Sequence, residues 1–369
     1  MDERLQRTIA AMHECDADWA ILSGADSIAY ALGYAPSAEI GVSPFAAGLA
    51  LAVIGRDGAA GLLAPAYEAS QPREGIVLRY DGYGPSQALP ARAAYDAALG
   101  DLLRQLGVGG RIAIERATHP ALADSRMQAA PADLTAALRR QRMTKTEAEV
   151  AALHRCAEVA GIGQRRMMEA LHPGITELRL FSEIRSAMED AAGARIAVGG
   201  DLISGRERTA AIGGWPNSRV IQSGDAVISD LGPRVEGYWG DSCATVVLGP
   251  PSEAQARLFE VAHHALEHAI AELRPGMTAE AAHRMIRGTV QASGFDYPHH
   301  TGHSIGTAVH EHPRLCDGET TVLRAGMVLM VEPGAYDPAI GGARTEWMLH
   351  LTENGCVPLA PFPLLASVS

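Results

Sequence analysis

Short apolar runs separated by polar and helical stretches characterise the first part of the chain. The runs at Trp19–Leu22 and Arg111–Glu115 each predict a β-strand. Leu49–Ile54 and Leu62–Ala64 lie on either side of a turn sequence at residues 56–58 and predict a β-hairpin. Because these strands alternate with helical segments, we expect the first part to form an α/β domain.

The pattern becomes helical at Ala136–Gln141. Shortly afterwards, Thr144-Lys145-Thr146-Glu147 has the form of a capping box, in which a threonine and a glutamate three residues later cap one helix start. A long amphipathic helix should therefore follow. We place a domain boundary near residue 140, which divides the chain into domains of residues 1–140 and 141–369.

The second domain contains an internal repeat with an offset of 102 residues. The matched pairs are Glu158 and Glu260, Gly174 and Gly276, Gly224 and Gly326, and Asp230 and Glu332. Chance could supply one such match, but four in one register predict two similar halves. Each half is expected to contain a helix, a Pro-Gly-x-Thr loop, a second helix and then strands.

Each predicted half ends in an apolar strand that leads into a carboxylate. Ala226–Ser229 and Met327–Val331 are these strands, and each is followed by a turn and a return strand that brings a second acid. The acids are Asp230 and Asp241 in the first half and Glu332 and Glu346 in the second. A pseudo-two-fold axis would gather all four, and desolvated like charges repel unless cations bind among them. The pattern therefore predicts a pair of metal ions.

Composition narrows the choice of partners and compartment. A net charge of −12 and a pI of about 5.6 disfavour a nucleic-acid partner, because phosphate binding needs clustered positive charge. The five cysteines form no Cys-x-x-Cys pair and favour free thiols. The N-terminal stretch MDERLQRTIA is charged from the start and lacks the apolar run of a signal peptide. The apolar run at Phe45–Ile54 is too short to span a bilayer. We expect a cytoplasmic protein that binds neither nucleic acid nor membranes.

A histidine-rich stretch at residues 299–313, HHTGHSIGTAVHEHP, offers two further kinds of chemistry. Within it, Gly302–Gly306 matches the GxSxG nucleophile motif and would make Ser304 the nucleophile. That motif requires an acid and then a histidine later in the chain, where the second carboxylate hairpin already occupies the remaining residues. A serine hydrolase is thus a minor alternative.

The same stretch resembles a zinc motif only in part. The sequence His310-Glu311-His312 begins like HExxH, but the second histidine would fall at residue 314, which is Arg314. The offset of 102 residues instead aligns His303 with Asp201 on a predicted strand of the first half. His303 is therefore the candidate imidazole ligand.

Five positions lie within the motifs DLG…GD, HxxGHxIG…HExP, EPG and GxRxE. Together these motifs resemble those of the Xaa-Pro peptidases in the pita-bread metallopeptidases, a family that includes prolidase, aminopeptidase P and creatinase. The five positions are Asp230, Asp241, His303, Glu332 and Glu346. The resemblance extends to ADWAILSGADSIAYALGY and RMTKTEAEVAAL, and so covers nearly the whole chain. It implies an α/β (α+β) protein with a creatinase-like N-terminal domain and a C-terminal pita-bread domain with duplicated halves.

The resemblance also implies the chemistry of the site. It implies two divalent metal ions, Mn, Co or Zn, bound by these five side chains, and imidazole and carboxylate ligands suit all three metals. Such ions lower the pKa of bound water towards about 7. By the same resemblance Glu332 is also a proton acceptor, and His299 and His310 contact substrate or stabilise the oxyanion. Arg344 matches a family arginine near the site and is either a catalytic residue or an ion-pair partner that orients carboxylates. A homodimer is implied as well.

Three departures from the family pattern bear on the substrate. The chain has Gly213 or Gly214 where the family has a substrate-contacting histidine, and Ala244 where an arginine is usual. Trp347 stands where prolidase-like enzymes have a polar residue. The metal ligands are therefore complete, while the residues expected to handle a peptide are altered.

The principal hypothesis is a Xaa-Pro dipeptidase or aminopeptidase that hydrolyses short peptides with metal-activated water. An alternative is a hydrolase or lyase of a small molecule on the same pita-bread scaffold. A non-catalytic binding domain is a third possibility, and a serine hydrolase a fourth.

Overall fold

The computed structural model describes residues 1–35, 50–66, 71–81, 91–115 and 132–369. They form two compact units, Met1–Arg142 and Met143–Ser369. Leu49, which the sequence placed in a strand, lies outside the described residues. Among the helices of the described ranges, none combines the length and apolar character needed to cross a bilayer. All five cysteines are free.

The described part of the first unit alternates helices and strands. In chain order these are α1 (Glu3–Glu14), β1 (Trp19–Leu22), α2 (Ala25–Leu32), β2 (Leu51–Gly55), β3 (Ala60–Pro65), β4 (Ile76–Tyr80), α3 (Ala91–Leu106), β5 (Ile112–Ile114), β6 (Ala132–Asp133) and α4 (Thr135–Met143). The strands make one sheet in the order β4-β3-β2-β1-β5-β6. The predicted α/β character and the hairpin of β2 and β3 are confirmed.

The two faces of this sheet carry separate hydrophobic cores because successive strand residues point to opposite sides. On one face Leu22 packs in a cluster with Leu5 of α1. On the other face Ile21 belongs to a cluster with Leu102 of α3. Helices therefore cover both faces of the sheet.

The second unit contains two successive sets of helices and strands. The first set is α5 (Glu147–Ala170), α6 (Glu177–Ala192), β7 (Ala197–Gly199), β8 (Leu202–Ser204), α7 (Arg206–Thr209), β9 (Ala226–Asp230), β10 (Gly232–Val235), β11 (Tyr238–Trp239) and β12 (Cys243–Leu248). The second set is α8 (Glu253–Glu272), α9 (Ala279–Ala292), β13 (Gly302–Ser304), β14 (Glu311–Leu315), β15 (Val328–Val331), β16 (Gly334–Asp337), β17 (Gly341–Arg344), β18 (Trp347–Thr352), β19 (Gly355–Pro358) and β20 (Ser367–Val368).

The long helix α5 begins at a capping box, but two residues later than the sequence suggested. The Thr146 hydroxyl accepts from the Glu149 N–H, and the Glu149 carboxylate accepts from the Thr146 N–H. The predicted box, starting at Thr144, was therefore wrong. The backbone of Thr144 and Lys145 instead pairs with residues 326–327, which delays the start of the helix.

The predicted duplication of the second unit is confirmed by equivalent local contacts. Thr176 caps α6 and forms a β-bridge with Val220, while Thr278 caps α9 and forms a bridge with Val322. Both pairs of positions obey the offset of 102 residues. A strand in each half then leads to an acid, and β9 pairs with β12 as β15 pairs with β18, both antiparallel.

Each half packs its helix pair on its own strands. Leu153 of α5 and Val227 of β9 belong to one buried cluster, and Leu266 of α8 and Leu329 of β15 belong to another. Burial of one such side chain contributes about 1.5–3 kcal/mol. The rigid strands between these cores are the elements that carry the acids and His303.

Candidate metal centre

Strand ends and hairpins bring acids from both halves into one cluster. Asp230 ends β9, and Glu332 directly follows β15. The return strands start next to the other two acids, since Asp241 precedes β12 and Glu346 precedes β18. The Glu346 N–H donates to the Cys243 carbonyl at 2.9 Å, which joins the two hairpins directly. The convergence expected from the repeat is therefore present.

The closest group within the cluster combines both halves with the candidate imidazole. Ligand atoms of Asp241, His303 and Glu346 lie within 4.8 Å of one another, and all three side chains are buried. His303 Nε2 lies 3.6 Å from Asp241 Oδ2 and 3.9 Å from Glu332 Oε1. Asp230 shares a side-chain hydrogen bond with Asp241. The five side chains named from the sequence thus lie together.

Burial makes negative charge costly at three acids of this cluster. It raises the pKa of Asp241 and of Glu346 well above their usual values, and the neighbouring acids raise both pKa values further. Burial also raises the pKa of Glu332 to about 8. Without a cation, protons have to neutralise these carboxyl groups.

One buried oxygen tests whether a cation fits this cluster. Glu346 Oε2 has no hydrogen-bond partner among the described residues, although buried carboxylate oxygens are normally paired. A cation placed among these acids would satisfy that oxygen and offset the charge. Four carboxylates and one imidazole fit a divalent ion that accepts hard oxygen ligands and one nitrogen. The donor set therefore fits a divalent metal ion.

His303 is oriented as a ligand by its own main chain. Its Nδ1 lies 2.9 Å from the Ser304 carbonyl, so Nδ1 carries the proton and donates it. The Nε2 lone pair is then directed at the acids. Burial lowers the pKa of His303 to about 3, so the imidazole stays neutral, which is the form that binds metals.

His299 has both ring nitrogens bonded within the protein. Nδ1 lies 2.6 Å from the His300 carbonyl, and Nε2 accepts from the Tyr336 hydroxyl at 2.9 Å. Burial lowers the pKa of His299 to about 4, which keeps it neutral. In this arrangement its N–H donates to the main chain, so a direct contact with substrate would require one of these bonds to break.

His310 is the more accessible imidazole beside the cluster. Its ring lies edge-on to the ring of His303, with centroids 4.1 Å apart. The residue is exposed, and its ring nitrogens have no hydrogen-bond partner within the described ranges. Partial burial and the charge of Arg314 lower the pKa of His310. It is therefore free to bond a substrate.

Arg344 is a buried counter-charge for the first-half acids. Its Nη2 donates to Asp230 Oδ2 at 2.6 Å and lies 3.8 Å from Asp201 Oδ2. Its Nη1 donates to the Ile212 carbonyl at 2.5 Å. Only 3% of the side chain is exposed, so these bonds hold the Asp230 carboxylate in one orientation.

Two residues near the site were not singled out from the sequence. His300 places Nε2 3.5 Å from Glu332 Oε1 while its Nδ1 bonds the Gly302 carbonyl. The Tyr336 hydroxyl bonds Nε2 of His299. The doubled histidine at 299–300 could have drawn attention to His300. Nothing in the sequence near Tyr336 distinguishes it from an ordinary strand residue.

An open cavity of about 520 Å³ borders the histidines. Its lining includes His299, His300 and Arg314. Arg314 is exposed, and its charge contributes, after burial, to the lowered pKa of His300 and of His310. It has no carboxylate partner within the described part of the chain. The cavity therefore offers a positive charge next to the acid cluster.

The three positions that depart from the family pattern have structural neighbours of their own. Ala244 is fully buried in the first-half core. Trp347 packs edge-on against Phe362, with ring centroids 6.3 Å apart. A Cβ at Gly213 would approach Asp201 Oδ2 to 2.4 Å, so a larger residue there would displace that acid.

Ser304 does not have the surroundings of a nucleophile. It is fully buried, its hydroxyl donates to the Val328 carbonyl at 3.1 Å, and it accepts from Lys145 Nζ at 3.0 Å. An activated serine instead gives its proton to a base and faces open space. This geometry gives no support to the serine-hydrolase hypothesis.

The fold and the acid cluster together define a two-domain protein with a candidate metal centre between the duplicated halves of its second domain. Residues 151–353 match the model of metallopeptidase family M24, and residues 4–144 match the model of the creatinase/prolidase N-terminal domain. The chain therefore belongs to metallopeptidase family M24. This confirms the family resemblance and the fold inferred from the sequence.

Individual relatives agree with this assignment. A Xaa-Pro dipeptidase of Lactobacillus delbrueckii subsp. lactis is 31% identical over 252 residues, or 68% of each chain. One from Pyrococcus horikoshii is 32% identical over 220 residues, or 59% of this chain, and the match spans 62% of that protein. The fold of a Xaa-Pro dipeptidase from Bacillus anthracis superposes with a TM-score of 0.81 at 22% identity, covering 100% of this chain and 99% of that one.

Proposed function

We propose that this protein is a metal-dependent peptidase that hydrolyses short Xaa-Pro peptides. The observation that carries the proposal is the buried group of Asp241, His303 and Glu346, in which a carboxylate oxygen of Glu346 lacks a partner among the described residues. Relatives named Xaa-Pro dipeptidase support the choice of substrate.

The proposed centre holds two divalent ions, Mn, Co or Zn. Their ligands would be Asp230, Asp241, His303, Glu332 and Glu346. When bound, such ions supply Lewis acidity and activate water for attack on a peptide carbonyl. Arg344 would keep Asp230 turned towards the ions, because its guanidinium bonds that carboxylate at 2.6 Å.

Glu332 is the residue that we propose to move a proton. In the metal-free protein burial raises the pKa of Glu332 to about 8. Bound cations would lower that pKa, so Glu332 would be ionised and able to accept a proton. Oε1 is the atom nearest to His300 and His303. We propose that a proton taken up at this oxygen is delivered to the leaving amine.

The cavity beside the site favours a substrate with a free carboxylate. Arg314 is exposed there and close enough to Glu332 to influence its pKa, after burial and the effects of Arg344 and Asp230. A cation at that place would bind the C-terminal carboxylate of a dipeptide. His310 would bond the peptide or the developing oxyanion. A dipeptidase is thus the more specific proposal.

The small-molecule alternative rests on one observation: Gly213 stands where the family has a histidine, and a larger side chain there would displace the Asp201 carboxylate. The deciding experiment is an assay of Ala-Pro, Gly-Pro and a Xaa-Pro tripeptide after loading with Mn, Co or Zn. We expect turnover of the dipeptides, with close to two metal equivalents bound. Absence of turnover of all three by a metal-loaded protein would favour the small-molecule enzyme. Absence of metal binding would favour a non-catalytic domain.

On the family resemblance alone, we propose that the protein is a homodimer and acts in the cytoplasm. Sedimentation velocity would test the first statement, and cell fractionation would test the second. Neither statement is needed for the proposed chemistry.

A further inference from the structure

Lys145 is a buried cation beside the site that the proposed chemistry does not use. It is the single lysine of the chain, and only 1% of its side chain is exposed. Its Nζ donates to Ser304 Oγ at 3.0 Å and to Glu311 Oε2 at 3.1 Å. A buried charge is costly, so a lysine held this way contributes most through the groups that it fixes.

The two partners of Lys145 each follow a candidate functional histidine. Ser304 comes directly after His303 on β13, and Glu311 comes directly after His310 at the start of β14. The pairing of these strands shifts register between His303 and Ser304. The Lys145 ammonium group therefore joins β13 to β14 where their register shifts. These two strands place the ring centroids of His303 and His310 4.1 Å apart.

The loop between those strands is fixed by the same contacts. The other oxygen of Glu311 accepts from the Ala308 N–H at 3.2 Å. Gly306 packs so closely that a Cβ there would lie 2.5 Å from Glu311 Oε1. The Gly306 carbonyl in turn accepts from the Trp239 N–H at 2.8 Å, two residues before Asp241. The network thus reaches the acid hairpin of the first half.

Lys145 is also attached to the strand that leads to Glu332. Its N–H donates to the Gly326 carbonyl at 2.8 Å, just before β15. The Ser304 hydroxyl, which accepts from Lys145, donates to the Val328 carbonyl on β15. The lysine is therefore bonded, directly or through one side chain, to all three strands around the imidazole side of the site.

We propose that Lys145 is a positioning residue that sets the His303 imidazole in the orientation required for metal binding and fixes the His310 imidazole beside it. The inference deepens the proposed metal centre and depends on it for its effect on affinity. Removal of the ammonium group would release Ser304 and the loop that carries Glu311, and the imidazoles would lose their fixed relation to the acids. Groups that orient metal ligands typically change metal affinity by about 10–100-fold.

The test uses a neutral pair so that loss of folding and loss of positioning can be told apart. Lys145→Met alone leaves the Glu311 carboxylate buried without this partner and is expected to reduce stability. The double variant Lys145→Met/Glu311→Gln removes both charges and is expected to melt close to the wild type. Its affinity for Co²⁺, measured by competition with a chelator, is expected to fall by about 10–100-fold.

The first half of the second unit supplies a matched control. Arg219 donates to Ser204 Oγ and to Asp225, both at 2.7 Å, which is the same combination of cation, serine and carboxylate. Ser204 is followed by α7 and does not adjoin a histidine. Arg219→Met is expected to reduce stability while leaving the Co²⁺ affinity unchanged.

A second readout requires no metal. Histidine-ring NMR signals of the metal-free double variant are expected to shift at His303 and His310, and those of Arg219→Met to stay in place. Because the chain has one lysine, ¹³C-lysine labelling gives one ε-carbon signal, which should move on Glu311→Gln and so report the pair directly.

Wild-type Co²⁺ affinity and unshifted ring signals in the double variant would overturn the inference. If the wild type bound no Co²⁺, the proposed function would fail, and the ring signals of the metal-free proteins would still decide the role of Lys145. Equal loss of affinity in Arg219→Met and the double variant would also overturn it, because the effect would then be general destabilisation.

Discussion

Replacement of Glu332 by glutamine should stabilise the metal-free protein while abolishing activity. Burial raises the pKa of Glu332 from 4.5 to about 8, which means that the folded protein keeps a proton that the unfolded chain releases at neutral pH. Glutamine has nearly the same shape as the protonated acid and cannot ionise. The variant therefore removes a cost that the wild type bears only when no metal is present.

The size of the effect follows from proton linkage. Below pH 4.5 both states of the wild type hold the proton, and the substitution should change little. As the pH rises towards about 8, the wild type progressively loses stability because the unfolded state ionises first. At pH 7.5 the solution lies roughly 3 pH units above the pKa of the unfolded state, and each unit costs the wild type about 1.36 kcal/mol. The variant should therefore be more stable than the wild type by up to about 4 kcal/mol.

Metal should reverse the sign of this difference. A ligand that binds only the folded state stabilises it by mass action, by about 2.7 kcal/mol at a concentration of 100 times its Kd. The wild type gains that stabilisation and also releases the Glu332 proton. The glutamine variant lacks one proposed ligand, so metal should add much less. Stability and metal binding therefore oppose each other at this position.

Urea unfolding of chelator-treated protein between about pH 4 and 8 would measure the effect. Three of the four tryptophans, Trp215, Trp239 and Trp347, lie in the second unit, so their fluorescence reports the part that carries the site. Glu319→Gln is a control of opposite sign. Despite partial burial, hydrogen bonds from Thr321 lower the pKa of Glu319, so its replacement should reduce stability slightly at neutral pH.

A variant that is no more stable than the wild type at pH 7.5, or whose gain does not grow with pH, would refute the reasoning. Such a result would mean that Glu332 is not desolvated in the metal-free fold. Turnover near the wild-type rate in the same variant would separately refute its role as ligand and proton carrier.

Three further predictions concern binding and chemistry. Arg314→Met should raise KM for Ala-Pro by about 10–100-fold, because one charged hydrogen bond to the substrate carboxylate is lost. KM for Ala-Pro amide should stay unchanged, and equal effects on both substrates would contradict a carboxylate site. Asp230→Asn should abolish turnover with an unchanged circular dichroism spectrum, and near-normal turnover would exclude it as a ligand. Ser304→Ala should reduce turnover far less than Asp230→Asn, because Lys145 keeps its bond to Glu311; complete inactivation would restore the nucleophile hypothesis.

The convergence of the acids could be predicted because it follows from a pattern written along the chain. The repeat places Asp230 and Glu332 at equivalent strand ends, and a pseudo-two-fold relation then brings them together without knowledge of any side-chain contact. The strands themselves were visible as apolar runs bounded by glycine. The repeat and the apolar runs can both be read from the sequence alone, because one is periodic and the other is local.

The capping box shows where local information is insufficient. Thr144 and Thr146 each have a glutamate three residues later, so both satisfy the same sequence pattern. The choice between them is made by residues 326–327, which bond the backbone of Thr144 and Lys145 and keep it out of the helix. A contact between residues more than 180 positions apart decided a helix start that the sequence could place only within one turn.

The imidazoles show the same limit at the site. The sequence identified His299 as a substrate contact by resemblance, but it could not show that Tyr336 and a carbonyl occupy both of its nitrogens. An imidazole can bond a substrate only through a ring nitrogen that is not already bonded within the protein. His310, with no such bond in the described structure, is the better candidate for that contact. If this is correct, His310→Ala should raise KM more than His299→Ala, whereas His299→Ala should mainly lower stability by leaving the buried Tyr336 hydroxyl without its acceptor.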